Sequence, residues 1–172
     1  MLIFLIGYMG CGKSSLGKPL SGLMNYKFID LDSYIEQECG MRIPDLFAHY
    51  GESYFRKEER RCLIELCENE ENCVISTGGG TPCYEDNMEI MNRYGITVYI
   101  NLEKTILISR LLTSKKKRPL IESMDEEQLR EFIEKSLSIR EPFYNKATIN
   151  ITGRNIKPYD ISLFISSYDK RV

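Results

Sequence analysis

One short segment constrains the fold of this chain more than any other: a glycine-rich loop between an apolar run and an amphipathic one. Residues 7–14 read GYMGCGKS and match the pattern G-x-x-x-x-G-K-[ST]. The apolar run Leu2–Ile6 before the loop predicts a buried strand, and Lys13–Met24 after it predicts a helix with leucines on one face. In that context the loop N–H groups and the positive helix end form a phosphate site, which predicts a nucleotide-binding protein.

Each polar residue of the loop has a predicted task. We expect Lys13 to reach the β- and γ-phosphates and to act in catalysis, and we expect the Ser14 hydroxyl to ligate Mg²⁺. The alternative is a flexible glycine turn, which the position between strand and helix disfavours. Bound anions would disfavour a thiolate at Cys11, so we interpret Cys11 as a loop filler and not as a nucleophile.

Apolar runs alternate with amphipathic stretches along the whole chain, which predicts a parallel sheet covered by helices on both faces. Ligands of such sheets bind at the carboxyl ends of the strands. The 172 residues fit a single domain, residues 1–172. The predicted strands are Leu2–Ile6, Lys27–Ile29, Cys73–Ser76, Ile96–Asn101 and Ala147–Ile151. The predicted helices are Lys13–Met24, Ser33–Cys39, Ile43–Tyr50, Glu52–Asn69, Tyr84–Tyr94 ended by Gly95, Lys104–Leu112, Asp125–Arg140 and Pro158–Tyr168.

Composition argues against several classes of protein. The formal net charge of −2 gives no basic surface for nucleic acid, so we expect no nucleic-acid partner. The longest apolar run, Met1–Ile6, is far shorter than the roughly 20 residues of a membrane span and lacks the marks of a leader, so we expect a cytoplasmic protein without a membrane partner. The six cysteines form no C-x-x-C pair and there is one histidine, which favours reduced thiols over disulfides or zinc.

Two motifs of other phosphate-loop proteins are incomplete. Residues Asn145–Thr148 begin like the base-reading N-K-x-D of GTPases but lack the aspartate, and they precede a predicted strand instead of following one. The third strand ends in Ile75–Gly78, with no aspartate in the position typical of motor-like ATPases. Among the phosphate-loop proteins considered, the remaining class is a small kinase that closes a lid over ATP.

Six short motifs follow one another along the whole chain: the glycine loop, Asp30-x-Asp32, Phe55-Arg56-x-x-Glu59, Gly78-Gly79-Gly80, Arg118-Pro119-Leu120 and Arg140-x-x-x-Tyr144. In this order they resemble the shikimate kinase family. The resemblance implies a three-layer fold with sheet order 2-3-1-4-5 and a lid near residues 113–124. It also implies ATP-dependent, Mg²⁺-requiring phosphorylation of the 3-hydroxyl of shikimate, on the route to chorismate and the aromatic amino acids, by a chain that we expect to be a monomer.

Arginines are suited to the carboxylate of such a substrate, because a guanidinium binds a carboxylate through two parallel hydrogen bonds. Arg56 and Arg140 are the candidates, and Glu59 lies on the same helix face as Arg56 and orients it. The alternative for Arg56 is one more charge on a charged helix. The triplet 78–80 lets backbone N–H groups approach the substrate, with the family contact at Gly79, and the alternative is a plain turn.

Two acidic residues follow the second predicted strand. We expect Asp32 to accept hydrogen bonds from the substrate hydroxyls and to take the proton of the attacking one. We expect Asp30 to hold Mg²⁺ through water. The alternative is a solvated turn in which Asp32 or Ser33 caps the next helix.

The remaining predicted contacts concern ATP. Arg118 follows a run of lysines, which alone is typical of a solvated loop, but the resemblance implies that Arg118 closes on the transferred phosphoryl group and neutralises its charge. The resemblance also implies that Arg110 lies near adenine. The loop after the fifth strand departs from the family, with Thr152 in place of its aspartate, and the resemblance implies that Arg154 and Lys157 of this loop contact the nucleotide. The expected ATP contacts are Gly10, Cys11, Gly12, Lys13, Ser14, Ser15, Arg110, Arg118, Arg154 and Lys157.

Two rival functions differ from this one in their sequence requirements. A kinase of another hydroxy acid such as gluconate would share the loop and the lid but not the combination of DxD, FRxxE and GGG. An inactive nucleotide-binding module would be expected to lack Lys13, the acidic pair or Arg118, and all of these are present.

Overall fold

The computed structural model describes residues 1–114, 121 and 124–169. Arg118 and most of the predicted lid therefore lie outside the described residues. Five strands form one parallel sheet of order β2-β3-β1-β4-β5, which confirms the predicted order. The strands are β1 (Leu2–Ile6), β2 (Lys27–Asp30), β3 (Cys73–Ser76), β4 (Gly95–Leu102) and β5 (Ile149–Gly153).

Helices cover the sheet, and all five residues of its central strand β1 are buried. A strand without an exposed residue must be covered on both faces, as its uninterrupted apolar sequence predicts. Within the described residues the helices are α1 (Lys13–Met24), α2 (Leu31–Cys39), α3 (Ile43–Asn69), α4 (Asn87–Tyr94), α5 (Lys104–Leu112), α6 (Glu126–Tyr144) and α7 (Pro158–Asp169).

The predicted helices Ile43–Tyr50 and Glu52–Asn69 meet at Gly51, which is not helical: its φ is 79° and its ψ is 174°. The two are numbered together as α3, joined across a kink at this residue. Those angles are accessible essentially to glycine alone, so the predicted break at Gly51 is present as a sharp change of direction.

The predicted helix Tyr84–Tyr94 ends where expected but starts three residues later, and the conformation expected of Gly95 is wrong. A 3-10 turn, Thr81–Cys83, comes first, and the α-helix begins only at Asn87. Gly95 does not end the helix in a left-handed conformation; it is extended, with φ of −173°, and starts β4. Glycine is required there because a Cβ would overlap the backbone of Leu2.

Other boundaries differ from the prediction by one to four residues, among them those of α2, α6 and β5. Helix α2 begins at Leu31 and not at Ser33, because Asp30 is the cap and its side chain accepts a hydrogen bond from the Ser33 N–H. Helix α6 continues four residues beyond Arg140 to Tyr144, with Pro142 in its last turn. Strand β5 begins at Ile149, two residues later than predicted.

The six cysteines are free thiols, as predicted. Within residues 1–114, 121 and 124–169, no helix is both long enough and apolar enough to cross a membrane. The strand register places the polar ends together, since Asp30 of β2 pairs with Ser76 of β3 and Ser76 pairs with Leu5 of β1. One edge of the sheet thus carries the glycine loop, the acidic pair and the glycine triplet.

Candidate active site

The glycine loop folds around the side chain of Lys13. Gly7, Gly10 and Gly12 have φ of 141°, 83° and 100°, a region that favours glycine. These turns bring two carbonyl oxygens to the ammonium group, so that Lys13 Nζ donates to Gly7 O at 2.8 Å and to Tyr8 O at 3.1 Å. The lysine is only 8% exposed, and its charge lies at the start of α1, beside the free N–H groups of the helix.

Three oxygen-bearing side chains meet at the ends of β2, β3 and the loop. Ser14 Oγ donates to Asp30 Oδ2 at 2.6 Å and lies 3.0 Å from Ser76 Oγ. Mg²⁺ prefers oxygen ligands and is held in kinases by one or two protein groups together with phosphate oxygens and water. Hydroxyl and carboxylate oxygens of this kind fit Mg²⁺, and the predicted pair Ser14 and Asp30 lies together.

Ser76 was not among the predicted site residues. Its signal in the sequence is its position as the last residue of β3, the strand end where related phosphate-loop proteins carry an acidic residue. The register that pairs it with Asp30 could not be read without the sheet order.

Arg56 has two different carboxylate partners. Its Nη1 donates to Glu59 Oε2 at 2.6 Å, whereas its Nε and Nη2 both meet Glu52 Oε1 at 3.4 Å. Glu59 is 1% exposed and Glu52 is 68% exposed at its side chain. Burial would lower the pKa of Arg56, but the two carboxylates, Glu59 above all, raise it overall, so the group stays charged.

Arg140 lies in the last turns of α6, where its guanidinium group stacks over the Tyr8 ring at 5.4 Å from the ring centroid. A Cβ on Gly79 would lie 3.5 Å from Arg140 Nη1. Tyr144, one turn later, donates from its hydroxyl to Gly79 O at 2.6 Å. Helix α6 therefore carries Arg140 and also fixes Gly79, the middle glycine of the triplet, through the hydrogen bond from Tyr144.

The glycine triplet lies beside both arginines, with Gly79 next to Arg140 and Gly80 next to Arg56. A Cβ on Gly80 would overlap the Arg56 guanidinium, so the absence of a side chain is what admits Arg56 here. Burial raises the pKa of the Cys83 thiol, and the guanidinium groups of Arg140 and Arg56 oppose that rise. The structure thus brings Arg56, Arg140 and the triplet together.

Asp32 reaches the same region from the first turn of α2. A Cβ on Gly78 would lie 3.2 Å from Asp32 Oδ1 and 2.9 Å from Glu59 Oε1. Asp32 is inside the helix and Asp30 is its cap, so of the two predicted roles for Asp32 the capping one is wrong. The carboxylate is half-buried beside the triplet.

A cleft of about 270 Å³ lies on the outer side of the glycine loop. Arg110 borders it and donates from Nη1 to Cys11 O at 3.3 Å. Arg154 instead forms an ion pair with Glu103 at 3.0 Å, and Lys157 is exposed; neither lines this cleft. The lining residues are Gly10, Cys11, Gly12, Ser15, Leu16, Leu102, Arg110 and Ile156.

The apolar members of that lining, Leu16, Leu102 and Ile156, were missed by reasoning from motifs. A flat base such as adenine is held chiefly by apolar contact, for which single aliphatic residues carry no motif. Ile156 lies two residues after Arg154, in the loop that departs from the family pattern at Thr152. The cleft indicates that Ile156 faces the glycine loop while Arg154 points to Glu103.

Comparison with known proteins gives consistent matches over nearly the whole chain. The model of the family described as Shikimate kinase matches residues 9–166. A shikimate kinase of Bacteroides thetaiotaomicron is 48% identical over 145 residues, which cover 84% of this chain and 82% of the relative. The 1.7 Å crystal structure of shikimate kinase from that organism superposes with a TM-score of 0.88 at 41% identity, covering 99% of this chain and 97% of the other.

A second solved structure carries a ligand. Shikimate kinase from Acinetobacter baumannii, solved in complex with shikimate, superposes with a TM-score of 0.83 at 32% identity. The superposition covers 99% of this chain and 93% of the other.

Proposed function

Because the chain belongs to the shikimate kinase family, we propose that it transfers the γ-phosphoryl group of ATP to the 3-hydroxyl of shikimate. The products are shikimate 3-phosphate and ADP. The enzyme then acts on the route to chorismate and the aromatic amino acids. ATP is its co-substrate.

One observation carries the proposal: the glycine triplet lies between the phosphate loop and the two arginines. A Cβ on Gly79 would lie 3.3 Å from Met9 N of the loop and 3.5 Å from Arg140 Nη1. A substrate whose carboxylate pairs with the guanidinium groups is thereby held next to a phosphate bound in the loop. Such positioning of two reactants accounts for much of the rate enhancement in phosphoryl transfer.

At the nucleotide end, we assign the phosphates to the loop N–H groups and to Lys13. Ser14 and Asp30 would hold Mg²⁺, Asp30 through water, and the ion when bound neutralises charge on the β- and γ-phosphate oxygens. Lys13 stabilises the charge that develops on the transferred group. The adenine base occupies the cleft beside Arg110 and Ile156.

At the substrate end, we assign the carboxylate of shikimate to Arg56 and Arg140 and its ring to the backbone of residues 78–80. Asp32 accepts the proton of the attacking hydroxyl. The substrate oxygen forms its bond to phosphorus as the bond from phosphorus to the β-phosphate oxygen breaks, and ADP takes up the charge. Arg118 meets the phosphoryl group when the segment 113–124 closes over ATP.

The chain, of 20.0 kDa, is proposed to act as a monomer in the cytoplasm. Its mass in solution, measured by light scattering coupled to size-exclusion chromatography, tests the first part. The cytoplasmic location stays a prediction.

A coupled assay of ADP release tests the reaction. Shikimate, quinate and gluconate all carry a carboxylate and several hydroxyls, but quinate has a saturated ring and gluconate an open chain. We expect shikimate to be phosphorylated far faster than the other two. Absence of ADP release with shikimate, or equal rates with gluconate, would contradict the proposed substrate.

A further inference from the structure

We propose that Thr81 is a positioning residue for substrate binding, an inference that rests on the proposed function. Its buried hydroxyl holds one oxygen of Glu59, and Glu59 in turn holds Arg56 in the orientation that leaves its outer edge for the carboxylate of the substrate. Thr81 lies in the 3-10 turn after the triplet and belongs to none of the predicted motifs.

The buried carboxylate of Glu59 has one strong partner for each oxygen. Oε2 accepts from Arg56 Nη1 at 2.6 Å, and Oε1 accepts from Thr81 Oγ1 at 2.6 Å. Glu59 is 1% exposed and Thr81 is fully buried. A buried carboxylate needs hydrogen bonds on both oxygens, and within the described part of the chain the Thr81 hydroxyl is the one donor to Oε1.

Glu59 and Glu52 bind different nitrogens of Arg56, and this decides which edge of the guanidinium group stays accessible to the substrate. A guanidinium group binds a carboxylate in two-point fashion through Nε and Nη2. Among the described residues, the side-chain partner of that edge is the exposed Glu52, at 3.4 Å, whereas Glu59 accepts from Nη1. Without the Thr81 hydroxyl, both oxygens of Glu59 would turn to Arg56, and the guanidinium would rotate away from the substrate.

Thr81 is itself fixed, so its hydroxyl has little freedom. Its carbonyl oxygen accepts from Asn87 Nδ2 at 2.9 Å, and Asn87 Oδ1 accepts from Arg60 Nη1 at 2.8 Å. A Cβ on Gly78 would lie 3.0 Å from Thr81 Oγ1. The bond between Thr81 and Glu59 is therefore packed directly beneath the first glycine of the triplet.

Steady-state kinetics of Thr81→Val and Thr81→Ser test the inference, with Thr97→Val as the matched control. Thr97 is equally buried and donates to Asn92 Oδ1 at 2.6 Å, but it lies near the amino end of β4, away from the site. We expect Thr81→Val to raise the KM for shikimate about tenfold while the KM for ATP stays within about twofold. Thr81→Ser should recover most of this loss, and Thr97→Val should leave the KM for shikimate unchanged.

A double-mutant cycle with Arg56→Ala separates positioning from general loosening of the fold. If Thr81 acts through Arg56, then Thr81→Val should change the KM for shikimate little in the Arg56→Ala background. Thr81→Ala removes the hydroxyl without adding a methyl group near Gly78, and it serves in place of Thr81→Val if that variant does not fold.

The outcomes distinguish this inference from the proposed function. A wild-type enzyme that does not phosphorylate shikimate overturns the proposed function and this inference with it. An active wild type with an unchanged KM in Thr81→Val overturns the inference alone. Equal losses in Thr81→Ser and Thr81→Val, or a full tenfold effect in the Arg56→Ala background, also overturn it.

Discussion

The buried ammonium group of Lys13 is held by carbonyl oxygens of its own loop. Carbonyl dipoles orient a positive charge, but they do not neutralise it as an anion does. A phosphate between Lys13 and the amino end of α1 would supply that anion. The charge of this one residue therefore serves both binding and transition-state stabilisation.

Replacing Lys13 with alanine should lower kcat/KM by about 100-fold or more, because the variant loses charge that the transferred group needs. Steady-state kinetics of ADP release measure this, and circular dichroism checks the fold. Lys18→Ala is the control, since Lys18 is an exposed lysine of the same helix. Near-normal activity of Lys13→Ala would refute the assignment of the phosphate loop.

Arg140 and Arg118 should give opposite kinetic patterns. The carboxylate that we assign to Arg140 is equally charged in the ground and transition states, so Arg140→Ala should mainly raise the KM for shikimate. Charge on the phosphoryl group develops during transfer, so Arg118→Ala should mainly lower kcat.

Kinetics with each substrate varied in turn measure both constants for these variants. Arg140→Lys should restore little, because an ammonium group cannot form the two-point contact with a carboxylate. If the two patterns came out reversed, the assignments of carboxylate clamp and lid arginine would be exchanged.

At the scale of elements, the kink in α3 aims the second half of the helix, which carries Arg56 and Glu59, at the glycine triplet. The kink depends on Gly51, and nothing lies within 4 Å of a Cβ built there. Any cost of substitution at Gly51 must therefore come from backbone strain and not from a clash.

Gly51→Ala should lower the free energy of unfolding by about 1–3 kcal/mol, because φ of 79° with ψ of 174° is strained for alanine. Gly22→Ala is the matched control. It also has no atom within 4 Å of an added Cβ, but it lies inside α1 with ordinary helical angles, so it should stabilise by roughly 0.5–1 kcal/mol. Urea denaturation measures both, and equal effects would contradict the strain argument.

Elements set by local pattern were predictable from sequence, and contacts between distant residues were not. The strands β1 and β3 and the helix α1 match their predicted bounds, since their apolar periodicity is uninterrupted. The hydrogen bond from Thr81 to Glu59 joins residues 22 apart and depends on how α3 passes the triplet. No local sequence pattern predicts how α3 passes the triplet. The start of α2 was likewise not predictable, because it depends on the hydrogen bond from the Ser33 N–H to the Asp30 side chain.

The candidate site divides in the same way. The residues that follow strands were predictable because carboxyl ends of parallel strands meet at one edge. Ser76 and Ile156 were not, because one depends on strand register and the other on the path of a loop. The roles assigned to the site residues stay predictions until kinetics test them.

At the scale of the whole molecule, chelation of Mg²⁺ should stop turnover without unfolding the protein. Ser14 and Asp30 supply few ligands by themselves, so the ion depends on ATP for the rest, and the apolar core does not depend on it. EDTA should abolish ADP release, excess Mg²⁺ should restore it, and the melting temperature without ATP should stay the same. Full activity in EDTA would contradict the proposed ion site.

The sheet order also has a consequence for the way the chain is made. The central strand β1 pairs with β3 and β4, and its first partner residue, Cys73, comes 67 positions after Ile6. At roughly 5–20 residues per second, a ribosome needs about 3–13 s to add that stretch. The segment Leu2–Ile6 therefore spends seconds as an unpaired apolar segment, during which it is open to non-native pairing or to a chaperone.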